Sequence, residues 1–248
     1  MQVQSDLRYA GPDGPALDVY RRARLPSPRP AVLVVHGGSW RYGNKLDVAT
    51  LAHDLARAGF VAFGVGYTLV GEGRAGYPRQ PRELRAAVRF VRRNARRFRV
   101  DPRQVGALGI SAGAHLAALV GTTGRGPLTR GSRLGAVASW SGPLDLRTGD
   151  LHRVLPFEVA GFLGCARCPR RAAAASPIVH ASPDDPPTMI VNSRRELIPA
   201  GQARRMARRL RAEGVRAPLW MLPGTLHAPL FAPTVLKPTI RFLRRSLR

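Results

Sequence analysis

Gly109-Ile110-Ser111-Ala112-Gly113 follows an apolar run, Val105-Gly106-Ala107-Leu108, and precedes a stretch rich in alanine (Ala112, Ala114, Leu116, Ala117, Ala118). The run reads as a strand and the stretch as a helix beginning about Ala112. A Gly-x-Ser-x-Gly at such a junction has the pattern of a nucleophile elbow. The turn is so sharp that Ser111 takes a strained backbone conformation, and a side chain at 109 or 113 collides with its neighbours. The hydroxyl is then held up at the top of a sheet. The helix start behind it supplies free N–H groups and the positive end of a dipole.

Outward from this junction, strands alternate with helices. Leu17–Tyr20, Ala31–Val35, Phe60–Val65, the 105–110 segment, Ala136–Ser141, Thr188–Val191 and Leu219–Leu222 read as strands. Ala31–Val35 has no polar residue, as expected of a strand buried on both faces. Leu46–Ala58, Pro81–Phe98, the stretch after Ser111, Ala200–Glu213 and Pro233–Leu247 read as helices, the first ending at Gly59. Repeated strand–helix units imply an α/β protein with a mostly parallel central sheet and helices on both faces. The segment about 143–187, rich in Pro, Ala and Arg, breaks the rhythm and reads as a short irregular insertion after the 136–141 strand. With no repeat and no long linker, residues 1–248 read as one domain.

Chemistry in such sheets collects at the carboxyl ends of the strands. His36-Gly37-Gly38-Ser39-Trp40 follows the 31–35 strand. Its glycines let the backbone approach a substrate carbonyl, and the N–H groups of Gly37, Gly38 and Ala112 form an expected oxyanion hole. Of the six histidines, His227 alone follows the final strand, in Pro223-Gly224-Thr225-Leu226-His227, and is the expected general base. His115, one helical turn past Ser111, reads as a packed core residue. Seven carboxylates follow Ser111. Asp184 and Asp185 precede a strand, Glu213 ends a helix, and Asp150 and Glu158 lie in the insertion. Glu196, just after the 188–191 strand, and Asp145, just after the 136–141 strand, remain as acids to orient the imidazole.

The chain carries a formal net charge of +25, and Lys45 and Lys237 are its only lysines. Arginine with abundant Ala, Gly and Pro is what a GC-rich genome encodes. The arginines fall on polar helix faces (Arg85, Arg89, Arg92, Arg93, Arg96, Arg97; Arg204, Arg205, Arg208, Arg209, Arg211). Without a recognition motif, this charge predicts non-specific attraction to polyanions at low salt and no specific nucleic-acid partner. Cys165 and Cys168 form a lone C-x-x-C in a Pro- and Arg-rich connection. It reads as a local disulfide or two free thiols ahead of a redox or metal site. No apolar run is long enough to span a membrane. Met1–Asp6 has no apolar core of a signal peptide, so the expectation is a cytoplasmic protein, or an extracellular one if a leader precedes this chain. No metal or organic cofactor is expected.

Taken together, His36–Trp40, Gly109–His115, Ser141-Gly142-Pro143-Leu144-Asp145, Ala175-Ser176-Pro177 followed by Asp185-Pro186-Pro187, and Pro223-Gly224 before His227 resemble a bacterial α/β-hydrolase of the carboxylesterase type, close to the esterase/lipase and feruloyl-esterase-like groups. The resemblance begins at about residue 15. It implies a serine hydrolase that cleaves carboxylic esters through an acyl-enzyme; the short insertion implies an open, small acyl pocket and hence short-chain or aryl esters. In that family the segment after the 188–191 strand usually reads Asp-x-x-Val/Ile-Pro, whereas here it is Arg195-Glu196-Leu197-Ile198-Pro199. A cation at the acid position repels an imidazolium. Either Glu196 substitutes from the next position, or Asp145 serves from the neighbouring strand, or the triad is broken and the chain is an impaired hydrolase-fold binding protein. An amide-type hydrolase, arylformamidase or peptidase-like, is the alternative within enzymes.

Overall fold

Val32, Leu33, Val34 and Val35 are wholly buried, two to each face, at the centre of the sheet. Burying each of these side chains contributes roughly 1.5–3 kcal/mol. They belong to β3 in a computed structural model that describes residues 1–25, 27–71 and 74–248. The strands are β1 (Gln2–Arg8), β2 (Ala16–Arg21), β3 (Arg29–Val35), β4 (Val61–Val65), β5 (Val100–Ile110), β6 (Val137–Trp140), β7 (Thr188–Ser193) and β8 (Leu219–Leu222). Their order is β1-β2-β4-β3-β5-β6-β7-β8. The pairs β1·β2 and β2·β4 are antiparallel; every other neighbouring pair is parallel.

The helices are α1 (Ala49–Arg57), α2 (Arg79–Arg93), α3 (Ala95–Phe98), α4 (Ala112–Thr122), α5 (Gly149–Val154), α6 (Pro156–Leu163), α7 (Pro169–Ala174), α8 (Ala200–Ala212) and α9 (Ala232–Ser246). Alternate residues of the strands choose between two cores. Leu33, Val35 and Phe63 pack with Leu84, Val88 and Val91 of α2 and Leu116 of α4. Val32, Val34 and Ala62 pack with Leu51 and Leu55 of α1 and Phe242 and Leu243 of α9. Ala203, Met206 and Leu210 of α8 cover Ile190. The helices α1, α2, α8 and α9 thus turn an apolar stripe to the sheet.

Four details depart from the expected elements. β1 lies outside the expected strands: it is an edge strand whose side chains are mostly exposed, so it has no apolar alternation to read. The Leu46–Ala58 helix is a 3-10 turn, Lys45–Val48, capped by Asn44 and followed by α1. The Pro81–Phe98 helix is interrupted at Asn94, giving α2 and α3. The 143–187 segment is ordered into α5, α6, α7 and a 3-10 turn at Pro177–His180, and a Cys165–Cys168 disulfide closes the loop between α6 and α7.

Candidate active site

Ser111 joins β5 to α4 with φ 52° and ψ −116°, a conformation that L-residues rarely hold. The flanking glycines permit it. A Cβ at Gly109 would lie 2.2 Å from the Gly113 carbonyl oxygen, and one at Gly113 would lie 2.2 Å from the Val35 oxygen and 2.4 Å from that of His36. The two close approaches seat the start of α4 against the end of β3. Every residue of α4 is buried, so the elbow rests on a fully packed helix.

The His36–Trp40 loop runs beside this elbow: a Cβ on Gly37 would come within 3.2 Å of the Ser111 Cβ. Gly38 has φ +100°, and the Arg41 and Tyr42 N–H groups both donate to its carbonyl, at 2.9 and 2.8 Å. Tyr67 stacks on the His36 ring at 4.2 Å, and its hydroxyl reaches the carbonyls of His36 and Gly37, both at 3.1 Å. In a trans peptide the N–H points opposite the C=O. Holding those two carbonyls on Tyr67 therefore turns the N–H groups of Gly37 and Gly38 away from it, and neither has a protein acceptor among the described residues. Ala112 is the first residue of α4, so its N–H has no intrahelical acceptor. Burial holds the His36 imidazole below its ordinary pKa, so this ring stays neutral and structural.

His227 follows β8, and its Nδ1 is hydrogen-bonded to Oε2 of Glu196, which follows β7. The Glu196 side chain is fully buried and that of His227 is 26% exposed. The second carboxylate oxygen, Oε1, accepts from the Ser141 hydroxyl at 2.8 Å and from the Ser193 N–H at 3.1 Å. Ser141 in turn accepts the Ala228 N–H at 3.1 Å, and the Ser193 hydroxyl donates to the Leu226 carbonyl at 2.6 Å. Two serines at the carboxyl ends of β6 and β7 thus clamp both the acid and the histidine loop. Sequence reasoning missed Ser141, Ser193 and Tyr67 as positioning groups. The signal that could have found the serines is a small hydroxyl residue closing a strand at its carboxyl end.

Arg195 is exposed. Its backbone N–H donates to the Gly224 carbonyl at 3.1 Å, and the next residue turns inward to face the imidazole. The longer Glu side chain makes up the one-residue offset. Asp145, the alternative acid, faces elsewhere. Its carboxylate binds the Arg147 guanidinium at 2.8 and 3.0 Å and the Arg147 N–H at 3.2 Å, and it makes no hydrogen bond to His227. The competing cation two residues along captures it.

The other histidines have structural partners. His53 packs edge-on against Tyr20, His152 bonds the Leu146 carbonyl and His180 that of Ala174. His115 is fully buried, accepts the Trp40 indole N–H at Nδ1 (3.2 Å) and pairs Nε2 with the Ala175 carbonyl at 2.7 Å. Burial pushes its pKa down to about 4. Because the unfolded chain protonates near the ordinary value of 6.5, the contribution of His115 is complete above that pH. It is lost as pH falls toward 4, about 3 kcal/mol in all. His115→Gln keeps a donor and an acceptor without a titrating group. Urea unfolding at pH 7 and pH 4.5 is expected to show a shallower acid loss in this variant than in the parent; parallel losses would refute the role.

Gly37, Gly38, Ser39, Asp47, Ile110, Ser111, Leu197, His227 and Pro229 are among the residues that line one cavity of about 360 Å³. The structure thus brings the hydroxyl and the imidazole to a single cleft at the carboxyl ends of the strands. A cavity of about 420 Å³ at the opposite end, beside Arg29 and Phe60, holds no nucleophile. Among the described residues no cluster of His, Cys, Asp and Glu suited to a metal ion is found.

The family model described as BD-FAE matches residues 17–210. Esterase LipC of Mycobacterium tuberculosis is 32% identical over 233 residues, covering 87% of this chain and 57% of that protein. This chain therefore spans little more than half of LipC's length. Kynurenine formamidase of Danio rerio is 32% identical over 125 residues, 49% of this chain and 40% of that protein. A truncated carbohydrate esterase from gut microbiota superposes with a TM-score of 0.86 at 23% identity, covering 99% of this chain and 96% of the other. That likeness and the strand order are those of the α/β-hydrolase fold.

Proposed function

The chain belongs to the BD-FAE family, and from that premise we propose that it hydrolyses carboxylic esters with Ser111 as nucleophile, His227 as general base and Glu196 as the acid that orients it. The observation that carries this reading is the buried Glu196–His227 pair opening onto the same cavity as the strained Ser111. Nε2 of His227 takes the Ser111 proton as Oγ attacks the ester carbonyl. The N–H groups of Gly37, Gly38 and Ala112 receive the oxyanion. The imidazolium returns its proton to the leaving alcohol, and water, activated by the same nitrogen, releases the acid from the acyl-enzyme. Glu196 keeps Nδ1–H as the donor, so Nε2 is free to accept.

The cavity of about 360 Å³ suits a short acyl or aryl group better than a long chain. Similarity to a formamidase over half the chain favours an amide as the second reading. The two are separated by hydrolysis of nitrophenyl acetate and butyrate beside formanilide. A kcat/KM for the esters at least 100-fold above that for the anilide is expected, since an aniline leaves far less readily than a nitrophenolate. Equal or faster cleavage of formanilide would replace the ester reading by the amide one.

A further inference from the structure

Eleven large apolar side chains are exposed among the described residues, and five of them lie on the segments that line the catalytic cleft: Tyr42, Leu46, Leu197, Leu226 and Leu230, at 64, 61, 46, 51 and 68% exposure. Leu197 lines the cavity; Leu46, Leu226 and Leu230 adjoin the lining residues Asp47, His227 and Pro229; and Tyr42 bonds back to Gly38. They come from the three segments after β3, β7 and β8 whose residues line the cleft, not from one apolar run. Scattered exposed leucines need no explanation, but five large apolar side chains on the segments of one cleft do.

The same rim is basic. Arg194 and Arg195 are exposed in the loop after β7 that holds Leu197. Asp47 is the one carboxylate among the lining residues, and its Oδ2 is engaged by the Asn44 N–H at 2.9 Å. The Arg195 that displaced the expected acid thus stands on the outer face of the turn, beside Arg194. Apolar residues able to enter a headgroup layer, with guanidiniums to meet its charge, are the features of a surface that lies on an anionic membrane. No helix among the described residues is long and apolar enough to cross a membrane.

We propose that the exposed side chains of Tyr42, Leu46, Leu197, Leu226 and Leu230, with Arg194 and Arg195, seat the mouth of the cleft on an anionic lipid surface. Resting on the hydrolase reading, this orients the site toward esters dissolved in that surface. The chain's net charge is then a long-range attraction and the rim is where it acts.

Co-sedimentation with vesicles tests it, using pure phosphatidylcholine and a mixture with about 30% phosphatidylglycerol at near-physiological salt. Partition onto the mixed vesicles is expected to exceed that onto phosphatidylcholine at least tenfold. Leu46→Ser with Leu230→Ser, and separately Arg194→Glu with Arg195→Glu, are each expected to lower it at least fivefold. Arg96→Glu with Arg97→Glu changes charge equally on α3, at the far end of the sheet, and is expected to stay within twofold. Equal losses in the two arginine pairs, no loss in the leucine pair, or indifference to phosphatidylglycerol would each overturn the proposal. All variants are assayed on soluble nitrophenyl acetate. Intact hydrolysis without vesicle binding removes only the docking surface, whereas binding by a parent protein that hydrolyses nothing removes the hydrolase reading instead.

Discussion

Ser111→Ala is expected to lower turnover of nitrophenyl acetate by about 10⁶-fold and to abolish labelling by a fluorophosphonate. The change deletes one oxygen and keeps the Cβ, so the elbow retains its packing and the cavity its walls. What remains is the group of amides at Gly37, Gly38 and Ala112, worth a residual 10³–10⁴-fold or so over water. Ser111→Gly separates chemistry from strain. It removes the same hydroxyl, and it also relieves a residue held at φ 52° and ψ −116°. Such strain costs on the order of 1–3 kcal/mol, and each kcal/mol moves Tm by about 2–4 °C in a chain of this size. Ser111→Gly is therefore expected to be as inactive as Ser111→Ala but to melt higher. Labelling that survives in both variants would place the nucleophile elsewhere.

Strain of this kind is also why the elbow could be read from the chain. A serine between two glycines, where a strand meets a helix, has few uses that justify both missing side chains, and the Cβ positions at Gly109 and Gly113 fall inside neighbouring backbone. The parallel strands were legible for a related reason: β3, β4 and β7 are buried on both faces and admit no polar residue except near their ends. β1 was not, because an edge strand in solvent is under no such constraint. The roles of Tyr67, Ser141 and Ser193 were equally hidden. Each has a hydroxyl whose partner lies far along the chain, 87 residues for the Ser141–Ala228 contact and 33 for Ser193–Leu226, and no periodicity records such a meeting. His115 is the opposite case, since an imidazole inside an alanine-rich helix against a sheet has only buried partners within reach.

The acid is the one position at which local reading left two residues standing, and the geometry around them makes the second large prediction. Oε1 of Glu196 accepts from the Ser193 N–H and the Ser141 hydroxyl, and Oε2 accepts from His227 Nδ1. In Glu196→Gln one of those oxygens becomes an NH₂. The Ser193 N–H is a fixed donor, and an amide NH₂ set against it would leave two donors facing each other in a buried place. The carbonyl of the substituted side chain must therefore stay on Ser193, which turns its NH₂ toward His227. Nδ1 then accepts, the ring proton moves to Nε2, and Nε2 can no longer take the proton of Ser111. The expected loss is about 10⁴-fold in kcat, with KM little changed, because tautomer and not shape is altered. Asp145→Asn weakens only the contact to Arg147 and is expected to keep turnover within about threefold, with any loss appearing in Tm at the level of a partly exposed ion pair, up to about 1 kcal/mol. If Asp145→Asn were the variant that lost turnover and Glu196→Gln the one that kept it, the buried Glu196–His227 pair would be a structural contact and the orienting group would have to be sought elsewhere.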